Sequence, residues 1–419
     1  MPDNSGEPER MMKRVFFWIL MTALCLLPAC GTDTASVPLV PESQQVSESV
    51  GQLVISALPS EEDVPEEPPA EETPPEEVPE PADPAKDVVD TILSSMSLEE
   101  KVGQMLLIGC PADGAETVLE TYPLGGYIFF SHHFAGKDAA AVREMTASIQ
   151  AASRIPLLMA VDEEGGSVTR VSRHASLRAE RFRSPRELYE SGGMTAVEAD
   201  VREKSAFLLD LGLNVNLGPV CDLSNDPDDF IYPRAFAADP AVVSDYVRRT
   251  VTIMEEAQMG SVLKHFPGYG GSADTHVGVV VDPRTQSEII DSAILPFVSG
   301  TEAGADGVMV CHMILEHFDA ERPASLSPAI YSLLRESLGD DVVVMTDDLD
   351  MGGITDYTDG ATASVSAVQA GCDLILSSDY ATHYTALLNA VQDGVIAQSR
   401  IEESVRRILL WKYELGLFA

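Results

Sequence analysis

Three short stretches carry the groups that could do chemistry. In the first, the apolar residues Val342–Met345 lead into Thr346-Asp347-Asp348-Leu349-Asp350 and deliver Asp347 to the end of a run. A carboxylate held there can attack an anomeric carbon and form a covalent glycosyl intermediate. The second stretch is Lys264-His265-Phe266-Pro267-Gly268-Tyr269-Gly270-Gly271, followed by Asp274-Thr275-His276. Lys264 and His265 can bind hydroxyls, while Pro267 and the glycines make a loop. Asp274 two residues from His276 can orient the imidazole and tune its basicity. The third is Asp162-Glu163-Glu164-Gly165-Gly166-Ser167-Val168-Thr169-Arg170. Asp162 can accept hydrogen bonds from hydroxyls, and Arg170 can serve the same pocket or pair with an acid. The paired glycines are expected to let the backbone approach a ligand. Asp347, Asp348 and Asp350 also invite a metal reading, but no further ligands cluster at metal spacing, so neither metal nor organic cofactor is expected.

These residues need a frame. From residue 87 the chain alternates short apolar runs with helical stretches. Ser97 with Glu100 reads as a capped helix start. Eight runs rich in Val, Ile and Leu follow, at 104–109, 126–130, 157–162, 213–219, 261–266, 307–312, 342–347 and 373–377. Runs without polar alternation fit parallel strands buried on both faces. Most are spaced widely enough for a crossover helix, so the expected fold is α/β, a single (β/α)8 barrel, with a doubly wound open sheet as the alternative. Five runs end in or just before chargeable groups: Asp162, Asp222, the Lys264–His265 pair, His312 and Asp347. Barrel active sites lie at that end of the strands. A final helix from Ile401 to about Leu415 is expected to carry Arg406 and Arg407 on its polar side.

The remaining sequence speaks to location. Net charge is −40, which argues against a nucleic-acid partner. Lys13 and Arg14 precede an apolar stretch, Val15 to Leu27, of signal-peptide length. Leu27-Pro28-Ala29-Cys30 looks like a bacterial lipobox, with Cys30 as the lipidated residue, so residues 1–30 are expected to be a signal segment. Residues 31–86 read as a disordered linker: 11 acids and no Lys or Arg lie between Glu61 and Asp83, and eight prolines between Pro65 and Pro84. The expected location is the outer face of the cytoplasmic membrane, with the folded domain at 87–419. Cys110, Cys221, Cys311 and Cys372 are scattered singly and read as small core residues.

Taken in order, these motifs resemble glycoside hydrolase family 3, and within it the bacterial single-domain β-N-acetylglucosaminidases. The likeness runs from about Leu98 to Leu415. Besides the three stretches above it includes Met96 to Met105, Asn216-Leu217-Gly218-Pro219-Val220-Cys221-Asp222, Pro323-Ala324-Ser325-Leu326-Ser327 and Ala370-Gly371-Cys372-Asp373-Leu374. The resemblance implies a retaining exo-β-N-acetylhexosaminidase acting on terminal N-acetylglucosamine of peptidoglycan-derived or chitin-like glycans. It implies Asp347 as nucleophile, His276 as acid/base and Asp274 as its partner. It further implies Asp162, Arg170, Arg234, Lys264 and His265 as sugar contacts. Tyr269 stands where many relatives have His, the stretch from His265 to His276 is one residue short, and Pro233 before Arg234 is atypical. Other readings are a family 3 β-glucosidase, a phosphorylase using the same groups, and a glycan-binding lipoprotein without catalysis.

Overall fold

The computed structural model describes residues 84–418. The leader, Cys30 and the linker up to residue 83 lie outside the described residues. The described residues open with the helix Pro84–Ser95. Pro84 suits a first helical turn, where its missing N–H has no partner to lose. This helix packs on the last one, Gln398–Glu414, where Arg406 pairs with Asp90. Next comes Leu98–Gln104, opened by the expected reciprocal cap: Ser97 Oγ accepts from Glu100 N, and Ser97 N donates to the Glu100 carboxylate at 2.9 Å.

Eight parallel strands follow. They are Leu106–Gly109, Gly126–Phe129, Leu158–Val161, Val215–Asn216, Gly260–Phe266, Gly307–Val310, Val343–Thr346 and Ile375–Ser377. The first seven pair in sequence order, and the eighth pairs with the first, Leu106 facing Ile375. A parallel bridge between Met345 and Leu374 closes the ring on the remaining side. Every strand residue is buried, which is why these runs are continuously apolar instead of alternating. The expected (β/α)8 barrel is the observed architecture. The fourth strand is short, Val215–Asn216 in place of 213–219. A small parallel pair outside the barrel, Val281–Asp282 with Ile314–Leu315, was not expected. The four cysteines are free and buried, as read.

The end of the barrel where the strands begin is devoted to stability. Asp373 is fully buried and meets three guanidinium groups: Arg335 at 2.7 Å, Arg407 at 3.1 Å and Arg400 at 3.3 Å. Arg407 therefore does not lie on the polar side of the last helix. Its side chain turns inward, because the buried carboxylate offers more than water does. Lys412 is also fully buried, with Gln104 Oε1 at 2.6 Å as its hydrogen-bond partner, and burial pulls its pKa down to about 7. The unfolded chain keeps an ordinary lysine value near ~10.4. Between the two values the unfolded state binds the extra proton, so stability should rise with pH, by up to about 1.4 kcal/mol per pH unit. Urea titrations at pH 7 and pH 9 should show that rise in the natural chain and lose it in Lys412→Met.

Candidate active site

At the opposite end of the barrel the eight side chains expected at the site line one cavity of about 580 Å³. Its walls also include Glu164, Phe230, Asp348 and apolar Leu217, Met309 and Leu376. A pocket of this size and mixed lining is typical of small-ligand sites.

Asp347 follows the seventh strand directly. Its backbone N–H donates to Val310 O at 3.0 Å, which continues the ladder and aims the side chain at the barrel axis. Burial favours the neutral acid, but the imidazoles of His265 and His312 and the Asp348 N–H outweigh it and hold the carboxyl below its ordinary range. Asp347 is thus held in its ionised form. The turn behind it is fastened on both sides. Asp350 accepts from Ser378 N at 2.8 Å and Ser377 Oγ at 3.2 Å, and Asp348 O accepts from His312 Nε2 at 2.9 Å. Asp348 itself is pushed up to about 7 by burial and by the nearby Asp350 and Asp347 charges. With Asp350 spent on the eighth strand, the three acids do not converge. Among the described residues no group of three or more His, Cys, Asp or Glu is placed to hold a metal ion.

His312, one of the five strand-end groups, does not reach the cavity. It is fully buried, and because Nε2 donates to a carbonyl, Nδ1 accepts from Ser325 Oγ at 2.8 Å. The ring is therefore a bracket for the turn behind Asp347, and the Pro323–Ser327 motif supplies its partner. Asp222 is likewise a support. Its buried carboxylate takes His265 Nδ1 at 2.8 Å, His265 N at 3.2 Å and Tyr269 N at 2.7 Å. Since Arg234 Nη2 can only donate to His265 Nε2, at 2.9 Å, the His265 proton sits on Nδ1.

The sugar-contact candidates form one chain of charges. Lys264 Nζ lies 2.7 Å from both Asp162 and Glu164, and Arg234 grips Glu164 in a fork at 2.8 and 3.0 Å. Burial opposes the charge on Glu164, yet Arg234 and Lys264 together hold it well below the carboxylate range. The carboxylates of Asp162 and Glu164 in turn raise Lys264 against its own burial. Arg170 approaches Asp162 at 3.8 Å, and its Nε is buried with no hydrogen-bond partner. Opposite charges locked edge to edge give a rigid polar floor that costs little reorganisation when hydroxyls arrive. Glu164 is the residue that sequence reasoning missed. It looked like one acid of a turn, and only its contact with Arg234, 70 positions away, reveals its part.

One further reading changes. Glu163, next in sequence, ties down its own loop: it is buried and accepts from the backbone of Arg170, Val171 and Ser172 and from Ser172 Oγ. The glycines after it pack against their own chain and do not line the cavity. A Cβ on Gly165 would lie 2.1 Å from Arg183 O, and one on Gly166 would lie 2.8 Å from Ser184 Cβ. With φ of +105° and +60° they allow the loop to fold tightly on its own chain.

Asp274 and His276 close the cavity from a loop. Asp274 Oδ1 meets His276 Nδ1 at 2.6 Å and His276 N at 2.9 Å. With Nδ1–H engaged by the carboxylate, Nε2 is left for a reacting group. The ring lies edge-on to Phe230, with centroids 6.0 Å apart. The shortened loop still brings His276 to the same cavity as Asp347.

Known proteins resemble this chain. The chain is 32% identical over 329 residues to the β-hexosaminidase LpqI of Mycobacterium tuberculosis, which covers 76% of this chain and 83% of that protein. It is 33% identical to a β-hexosaminidase of Stenotrophomonas maltophilia, over 73% of this chain and 98% of the relative. Among solved structures, a family 3 β-N-acetylglucosaminidase from Paenibacillus superposes with TM-score 0.72 at 30% identity, covering 78% of this chain and 64% of that one. The match to the glycosyl hydrolase family 3 N-terminal domain spans residues 97–410, and the chain belongs to that family.

Proposed function

We propose that the protein is a retaining exo-β-N-acetylhexosaminidase that removes terminal β-linked N-acetylglucosamine from glycans. The observation that carries this reading is one cavity holding an ionised Asp347 on its floor and the Asp274–His276 pair at its rim. In the first step a carboxylate oxygen of Asp347 bonds to the anomeric carbon as the glycosidic bond breaks, and His276 Nε2 gives its proton to the departing oxygen. In the second step His276 takes a proton from water, whose oxygen displaces Asp347. Two inversions return the original anomeric configuration. Asp274 keeps the ring oriented and stabilises its cationic form.

The charged floor suits a ring bearing several hydroxyls, and Leu217, Met309 and Leu376 offer an apolar wall to an acetyl methyl. The named relatives act in the same sense. A membrane-tethered place in the cell envelope, with wall or chitin-like fragments as substrate, is supported by the lipobox at Cys30 and the acidic, proline-rich segment after it.

The deciding assay compares nitrophenol release from the β-N-acetylglucosaminide and the β-glucoside, with and without phosphate. Preference for the N-acetyl sugar in phosphate-free buffer is expected. Preference for the glucoside would overturn the substrate assignment, and strong stimulation by phosphate would make the enzyme a phosphorylase. His276→Ala should lower kcat/KM on an unactivated disaccharide by roughly 10²–10⁴-fold, the usual worth of a general acid.

A further inference from the structure

The acid/base pair sits on an exposed loop, with 54% of the His276 side chain and 31% of the Asp274 side chain open to solvent. Proton transfer to one oxygen needs the ring held within a fraction of an ångström. Thr275, between the two, faces the other way and is fully buried. Its hydroxyl shares a 2.5 Å hydrogen bond with the hydroxyl of Tyr269, which is also fully buried.

Tyr269 is fixed along its whole length. Its backbone N–H donates to Asp222, and its ring lies edge-on to His265 at 5.1 Å and Phe230 at 5.6 Å. Phe230 in turn meets the His276 ring. The turn that carries Tyr269 is held from outside the barrel by Arg284, which pairs with buried Asp282 and donates to Gly268 O. On the other side the loop rests on the chain just past the nucleophile. Gly353 N donates to Thr275 O at 2.9 Å, and Gly352 N to His276 O at 3.2 Å. A Cβ on Gly352 would stand 2.9 Å from His276 O and 2.8 Å from Gly278 N, so only glycine lets the two segments meet this closely.

We infer that the buried Tyr269–Thr275 hydroxyl pair, seated against the Gly352–Gly353 backbone, is the latch that sets the Asp274–His276 pair over the cavity. Both are positioning residues: neither lines the cavity, and each acts through His276. The inference rests on the reading of His276 as the acid/base.

Leaving-group dependence isolates this role. A disaccharide must have its departing oxygen protonated, whereas a dinitrophenyl glycoside loses its phenolate without help. Tyr269→Phe removes one oxygen and keeps the ring packing. It is expected to lower kcat/KM on the disaccharide by at least about 10-fold, part of a general acid's contribution, and on the dinitrophenyl glycoside by less than about 2-fold. Thr275→Val should behave alike and Thr275→Ser should recover, so the pair carries the test if the tyrosine variant does not fold. Equal losses on both substrates would mean general damage to the cavity and would overturn the latch, as would no loss on either. His276→Ala, assayed alongside, must show the same split more strongly. If it does not, the acid/base reading fails and the latch with it. If it does while Tyr269→Phe and Thr275→Val behave like the natural chain, the latch alone is wrong.

Discussion

Asp347→Ala is expected to lower kcat about 10⁴-fold, equivalent to ~5.5 kcal/mol of transition-state stabilisation, while leaving the fold intact. The size follows from its role. Without the carboxylate there is no covalent intermediate, and the cavity retains only binding and proton transfer. Asp347 is replaceable structurally because its own contacts are few: its side chain accepts from the next residue's N–H at 2.9 Å, and the turn is held by His312, Ser377 and Ser378 through Asp348 and Asp350. Azide separates the two catalytic roles. It should revive Asp347→Ala by attacking the anomeric carbon directly, giving the α-glycosyl azide. In His276→Ala it should instead intercept the Asp347-bound intermediate and give the β-azide. Full hydrolytic activity in Asp347→Ala would end the nucleophile assignment.

Asp373→Ala is expected to destabilise the fold by about 3–5 kcal/mol, the usual result of removing one partner from a buried ionic cluster. Arg335, Arg400 and Arg407 converge on this one carboxylate, which also accepts from Ser404 Oγ at 2.6 Å and Val344 N at 3.1 Å. Its loss would strand three guanidinium groups around an empty site at the seam where the seventh and eighth strands close the barrel. Burial alone would raise the Asp373 pKa, but the charges of Arg407, Arg335 and Arg400 overcome it and depress the folded value. A depressed carboxyl stabilises fully above its unfolded value near ~3.9 and loses that contribution as pH falls through the folded one. The difference in urea midpoint between the natural chain and Asp373→Ala should therefore be largest near neutrality and shrink in acid. Asp373 precedes the eighth strand, at the end away from the cavity, so kcat of the folded fraction should not change. An unchanged midpoint at neutral pH would show that the three arginines find water instead.

Much of this molecule is written locally. Eight continuous apolar runs could be read as parallel strands because a strand covered on both faces has no polar side to show. The placement of Asp162, Lys264, His265 and Asp347 at their ends followed, since strand direction alone decides which end of a barrel a terminal residue occupies. The cap at Ser97 and Glu100 was legible for the same reason: its partners are three residues apart. Tertiary structure decided which of the strand-end groups reach the cavity and which brace them. Asp222 and His312 looked equivalent to Asp347, but closure of the barrel buries them against His265 and Ser325. Glu163 and Glu164 are neighbours with opposite fates, one tying down its own loop and the other joined to Arg234 and Lys264. Tyr269 and Thr275 carried no visible signal as a pair, and Arg407 looked like a solvent-facing charge. Sequence shows periodicity and residue type. It does not show which charges, tens of residues apart, the closed barrel brings within 3 Å, and in a buried site that proximity determines protonation, orientation and role.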